Sequence, residues 1–125
     1  MEEKVLIVDD SLVARLSIKG ALKECGVSFF EASSGEAALD LLSGGLVPSV
    51  VFLDLTMPGM GGLEALKAMR QKAPSLKVVV VTADVQARTL AELKAEGAFE
   101  VLRKPADRAL VLSSFERATH PGAGK

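Results

Sequence analysis

Short apolar runs punctuate the chain at near-regular intervals: Val5–Val8 (VLIV), Val27–Glu31 (VSFFE), Val50–Leu53 (VVFL), Val78–Val81 (VVVV) and Phe99–Leu102 (FEVL). The first, third and fourth are apolar without a break. Half-exposed strands alternate in and out, whereas strands covered on both faces read as continuous β-branched runs, as in parallel sheets flanked by helices. The second and fifth carry Glu31 and Glu100, which places them nearer the edges or ends of such a sheet.

Between the runs the pattern lengthens to that of amphipathic helices. Leu12–Cys25 opens after Ser11, a natural N-cap, and stops at Gly26. Its apolar stripe is read as Leu12, Leu16 and the 18–22 region, with Arg15, Lys19 and Lys23 on the other side. Gly35–Leu42 follows a second cap, Ser34, and ends at Gly44-Gly45. Leu63–Gln71 ends before Pro74, Gln86–Glu96 at Gly97, and Asp107–Ala118 before the segment THPGAGK. Strand–helix units of this length predict right-handed crossovers and an α/β fold, a parallel sheet with helices on both faces. Residues 1–120 are expected to form one domain, and 121–125 (PGAGK) a tail or the start of a linker.

The totals restrict what such a domain does. A chain of 125 residues, 49% of them apolar, can build one core without staples. A net charge of −1 argues against direct nucleic-acid contact and against a polybasic membrane patch. The opening segment MEEKVLIVDD has neither the charge nor the apolar length of a signal peptide, and no apolar run approaches a membrane span. A soluble, cytoplasmic domain is the expectation. The single Cys25 excludes an internal disulfide and reads as a small core residue. His120, in the terminal segment, is not expected to bind metal or carry phosphate.

In open parallel sheets the ligand site lies beyond the carboxyl ends of the strands. Asp9 and Asp10 follow the first strand, Asp54 ends the third, Thr82, Ala83 and Asp84 follow the fourth, and Lys104-Pro105 follows the fifth. Singly, each is an ordinary turn, cap or surface residue. Together, four strands deliver three carboxylates, a hydroxyl and an ammonium to one edge. Converging carboxylates need a cation to stay ionised, and an all-oxygen set without His or Cys suits Mg²⁺ better than zinc. Such a set fits phosphoryl transfer, with a carboxylate as nucleophile.

Four segments now carry a signature: VLIVDDS (Val5–Ser11), VFLDLTMPGMGG (Val51–Gly62), VVVVTA (Val78–Ala83) and VLRKP (Val101–Pro105). In this order the chain resembles the receiver domains of bacterial two-component response regulators, the chemotaxis-regulator-like fold, over about Lys4 to Ala118. The resemblance implies a flavodoxin-like five-stranded sheet in the order 2-1-3-4-5 with five helices. It implies a phosphoaccepting switch rather than an enzyme, with Asp54 as phosphoacceptor. Asp10 and Asp54 would ligate Mg²⁺ together with the Thr56 backbone carbonyl, and Asp9 would act mainly through bound water. Lys104, the Thr82 hydroxyl and the Ala83 backbone N–H would bind the phosphoryl group, and Pro105 would follow a cis peptide. Thr56 and Asp84 would tune the lifetime of the phosphoryl group. The phosphodonor would be a histidine kinase or phosphotransfer protein. An output partner, or a second copy in a homodimer, would meet the face made by helix 86–96, strand 99–102 and helix 107–118.

One position departs from the family pattern. Many receivers carry Tyr or Phe three residues before the Lys; here that residue is Val101, and the chain has no Tyr or Trp. Phe99, two residues earlier, is expected on the same strand face as Val101 and to pack in the core. Met57 and Met60 flank Pro58-Gly59 and read as loop packing. Arg88, Lys94, Arg103, Arg108 and Arg117 fall on or near the readout face. The alternative function is a Mg²⁺-dependent phosphatase with an Asp nucleophile. Such enzymes place a second Asp two residues on, where this chain has Thr56.

Overall fold

A computed structural model describes residues 3–57 and 59–120; the expected tail at 121–125 and Pro58 of the loop after Asp54 lie outside the described residues. Five strands and five helices alternate: β1 (Lys4–Val8), α1 (Leu12–Leu22), β2 (Ser28–Ala32), α2 (Gly35–Ser43), β3 (Val50–Asp54), α3 (Gly62–Lys72), β4 (Val78–Thr82), α4 (Ala87–Ala95), β5 (Glu100–Arg103) and α5 (Arg108–Thr119). All strand pairs are parallel, in the order β2-β1-β3-β4-β5. The two strands that carry glutamates, β2 with Glu31 and β5 with Glu100, are indeed the edges. The three uninterrupted apolar strands occupy the centre.

Alternation along each strand divides the core into two layers. Leu6, Val8, Val51, Leu53, Val78 and Val80 pack with Ala38, Leu66, Met69 and Leu93 from α2, α3 and α4. Val5, Ile7, Phe52, Val79, Val81 and Leu102 pack with Ile18, Leu22, Val111 and Phe115 from α1 and α5. Both layers consist of apolar side chains, and burying one large aliphatic side chain contributes roughly 1.5–3 kcal/mol. This is the double cover that continuous apolar strands require.

The caps are placed as read: Ser11 accepts from the Ala14 N–H at 3.2 Å and Ser34 from the Ala37 N–H at 3.1 Å. The composition of the α1 stripe is corrected. Leu12 and Leu16 are 59% and 53% exposed, and the core face is Ile18, Ala21 and Leu22. At 100° per residue, Leu16 projects about 160° away from Ile18, so the two cannot share a buried face. The helix also ends at Leu22, before Cys25, which is half-buried against the α1/α5 layer. Phe99 is corrected as well. It packs with the α1/α5 layer, while Val101 packs with the opposite one. Phe99 precedes β5, where the chain is still leaving the positive-φ turn at Gly97, so strand alternation does not reach it.

Candidate functional site

Strand register brings the polar residues to one level. Val8 pairs with Leu53, so Asp9 leaves β1 beside Asp54 at the end of β3. Asp54 pairs with Val81, which sets Thr82 one step beyond, and Thr82 pairs with Arg103, which sets Lys104 next. The Lys104 N–H donates to the Thr82 carbonyl at 2.8 Å, and the Lys104–Pro105 peptide is cis. Pairing reaches Asp54 and Thr82 themselves, one residue further than the apolar runs suggested.

Asp9, Asp10 and Asp54 each offer a carboxylate oxygen, and these oxygens lie within 4.8 Å of one another. Asp9 and Asp54 are 2% and 4% exposed, whereas Asp10 faces solvent. The Lys104 ammonium stands 3.1 Å from Asp9 Oδ2 and 3.1 Å from Asp54 Oδ1. The Thr56 N–H points to Asp54 Oδ1 at 3.4 Å, and the Ser11 N–H donates to Asp9 Oδ1 at 2.9 Å. Burial pushes the Asp54 carboxyl above its ordinary value, against the hydrogen bond from Lys104 and with help from the Asp9 charge. Burial pulls the Lys104 ammonium down, but hydrogen bonds to Asp9 and Asp54 outweigh it and hold the group above the usual lysine value. One cation therefore serves two converging anions, with a third alongside. The donors are all oxygen, with an open side at Asp10, which fits a hard divalent ion such as Mg²⁺.

Thr82 is 1% exposed, and its hydroxyl oxygen accepts the Asp84 N–H at 2.9 Å. Asp84 in turn accepts the Gln86 N–H at 3.1 Å and the Thr89 hydroxyl at 2.9 Å, tying the loop to the start of α4. Thr56, Ala83 and Asp84 line an open hollow at the mouth of the site. Val101 is half-buried under α4. Among the basic residues of the α4–β5–α5 face, Arg88, Lys94, Arg103 and Arg108 are exposed, while Arg117 is bound to Glu100, which also takes the Ser114 hydroxyl. His120 caps the far end of α5.

Two contributions were not read from the chain. Gly62 opens α3 against the end of β3, where a Cβ would lie 2.4 Å from the Leu55 Cα and 2.6 Å from the Asp54 carbonyl oxygen. A glycine pair where a helix should be capped by Ser or Asp was the available signal. Arg15, placed on the side away from the apolar stripe, donates to Glu31 at 2.8 Å and to the Asp9 carbonyl at 2.6 Å. Its position beside the Ile18–Leu22 stripe was the corresponding signal.

Comparisons with known proteins agree with this fold. Residues 5–116 match the family described as the response regulator receiver domain. The chain is 36% identical over 107 residues to sporulation initiation phosphotransferase F of Bacillus subtilis, covering 86% of each. It is 36% identical to chemotaxis protein CheY of Listeria monocytogenes, covering 92% of this chain and 97% of that one. It also matches the DNA-binding transcriptional regulator NtrC of Klebsiella pneumoniae at 36% identity, but spans only 24% of that protein. The structure of chemotaxis response regulator CheY4 of Vibrio cholerae superposes with a TM-score of 0.85 at 29% identity, covering 94% of this chain and 99% of that one. The chain belongs to the receiver-domain family of response regulators, the phosphoaccepting switches of two-component signalling.

Proposed function

We propose that this receiver takes a phosphoryl group onto Asp54 from a phosphohistidine on a histidine kinase or phosphotransfer protein, with Mg²⁺ held by Asp9, Asp10, Asp54 and the Thr56 carbonyl. The observation that carries this reading is the meeting of three carboxylates within 4.8 Å of one another, with one ammonium 3.1 Å from two of them. When bound, the ion supplies positive charge that offsets the carboxylates and the incoming phosphoryl oxygens. Asp54 is the nucleophile because it ends a central strand, where pairing with Val81 of β4 fixes its position. One of its oxygens bonds to phosphorus as the donor's P–N bond breaks, and the electron pair returns to the imidazole nitrogen.

Lys104 then turns from bridging two carboxylates to pairing with a phosphoryl oxygen. The Thr82 hydroxyl keeps its acceptor role toward Asp84 and donates its own hydrogen to the phosphoryl group, joined by the Ala83 N–H. This added charge biases the Thr82–Asp84 loop, and through Thr89 the start of α4. The α4–β5–α5 face would present the change to an output partner or to a second copy. Val101 has no ring to swing, so the loop and α4 carry the signal. Thr56 and Asp84 border the path of hydrolytic water and set the lifetime. The domain assists its own phosphorylation and dephosphorylation without turning over free substrates, since Thr56 lacks the acid of a phosphatase.

Beryllofluoride with Mg²⁺ provides the test, read by backbone amide NMR. The expected result is Mg²⁺-dependent shifts at Asp54, at Thr82–Asp84 and across α4–β5–α5, all absent in Asp54→Ala. No response in the wild type would overturn the reading, and rapid multiple turnover of a phosphomonoester would favour the phosphatase.

A further inference from the structure

Arg15 and Glu31 lie outside the acid cluster, yet hydrogen bonds join them to it. The Arg15 guanidinium donates from Nε to Glu31 Oε1 at 2.8 Å and from Nη1 to the main-chain carbonyl of Asp9 at 2.6 Å. Lys19 holds the other Glu31 oxygen at 3.0 Å. The Arg15 side chain is only 16% exposed, so this is a seated group rather than a solvated one.

The carbonyl that Arg15 holds belongs to the peptide joining Asp9 to Asp10. That peptide is a rigid plane, so pinning its oxygen sets the direction in which the Asp10 Cα leaves it. Asp9 has other anchors: its N–H donates to the Ala32 carbonyl at 3.0 Å, and its carboxylate takes Ser11 N–H and Lys104. Among the described residues, no hydrogen bond or ion pair holds the Asp10 side chain. Its aim depends on the backbone that carries it.

We propose that Arg15, braced by Glu31, is a positioning residue of the cation site: it fixes the Asp9–Asp10 peptide so that the Asp10 carboxylate faces Asp54. It touches neither the ion nor the phosphoryl group. Two features suit it to this work. The guanidinium forks, so one side chain reaches both β2 and the β1–α1 turn, which an ammonium cannot do in the same geometry. And Glu31 sits on an edge strand, so it braces Arg15 from outside the site without adding a fourth acid to it.

This inference rests on the Mg²⁺ reading above, and the test separates the two. Mg²⁺ affinity is measured by isothermal titration calorimetry for the wild type, Arg15→Ala, Arg15→Lys, Glu31→Ala and the Arg15→Ala/Glu31→Ala double variant, with urea midpoints alongside. Arg15→Ala is expected to bind Mg²⁺ about 10-fold more weakly, the low end for a group one hydrogen bond behind the ligands. Glu31→Ala should lose less, and the double variant no more than Arg15→Ala alone, because Glu31 acts through Arg15. Arg15→Lys should recover only part of the loss. The rate of phosphorylation by acetyl phosphate should return to the wild-type level at saturating Mg²⁺. Should Arg15→Ala not fold, Arg15→Lys and Glu31→Ala carry the same comparison. Variants that bind Mg²⁺ within about two-fold of a wild type that itself binds would overturn the positioning role and leave the cation site standing. So would additive losses from Arg15 and Glu31. A wild type that does not bind Mg²⁺ overturns the cation site, and this role with it.

Discussion

Asp54→Asn removes one charge from a buried cluster and leaves the shape nearly unchanged, which makes its effect on stability calculable in sign. The ionised Asp54 carboxylate gains attraction from Lys104 at 3.1 Å, about 5 kcal/mol at an effective dielectric of 20. It suffers repulsion from Asp9 at no more than 4.8 Å, at least about 3.5 kcal/mol on the same basis. The net attraction, about 2 kcal/mol at most, is smaller than the several kcal/mol that burying a carboxylate costs. The neutral amide escapes that cost, and Lys104 keeps Asp9. Without Mg²⁺ at neutral pH, Asp54→Asn should therefore be more stable than the wild type by about 1–3 kcal/mol. The pH dependence follows from the raised Asp54 pKa. A carboxyl raised in the folded state contributes stability below its unfolded value of 3.8, and loses it as pH rises through the folded value. The gap between variant and wild type should thus be widest at neutral pH and close below about pH 4. Mg²⁺ should narrow it at neutral pH by stabilising the wild type, by about 1.4 kcal/mol at ten times the dissociation constant. Urea unfolding followed by far-ultraviolet circular dichroism is the assay, because the chain has neither Trp nor Tyr for fluorescence. A variant less stable than the wild type at neutral pH in EDTA would show that attraction to Lys104 outweighs the burial cost of the Asp54 charge.

Other contacts give further outcomes. Gly62→Ala drives a Cβ into the Asp54–Leu55 backbone, so urea unfolding should show a loss of about 3 kcal/mol, with slower phosphorylation because that backbone carries the acceptor. Glu100→Ala strips the acceptor from the fully buried Ser114 hydroxyl and should cost about 2 kcal/mol. Hydrogen bonds from Arg117, and then from Ser114, hold the Glu100 carboxyl below its ordinary 4.5. The charge-dependent part of its stability is therefore full above that value and vanishes as pH falls through the folded one, so a wild type and Glu100→Gln pair should converge in acid. Asp84→Ala frees the loop between Thr82 and α4, and should speed dephosphorylation of the phosphorylated domain; an unchanged rate in both Asp84→Ala and Thr56→Ala would remove their assigned role in lifetime.

The carboxyl edge was legible from the chain because topology does most of the placing. Once the uninterrupted runs at Val5, Val50 and Val78 are central parallel strands, Asp9, Asp54 and Thr82 have nowhere to go but one edge. What escaped was set by side-chain direction and close approach. Leu12 and Leu16 look like core by hydrophobicity alone, but the helical angle turns them away from Ile18 and brings Arg15 toward the sheet. The salt link from Arg15 to Glu31 crosses from α1 to β2, a long-range contact that local periodicity does not encode. Gly62 could be seen as a glycine, but the backbone it abuts appears only when α3 folds back on β3.

On the proposed reading, Asp54 receives a phosphoryl group in a Mg²⁺-dependent reaction supported by the surrounding acids and Lys104. Incubation with acetyl phosphate, followed by intact-mass spectrometry and peptide mapping, measures this directly. The expected result is a single added phosphoryl group on the peptide containing Asp54, dependent on Mg²⁺, lost on EDTA treatment before the reaction and absent in Asp54→Ala. Modification that persists in Asp54→Ala, or none in the wild type with Mg²⁺ present, would contradict it.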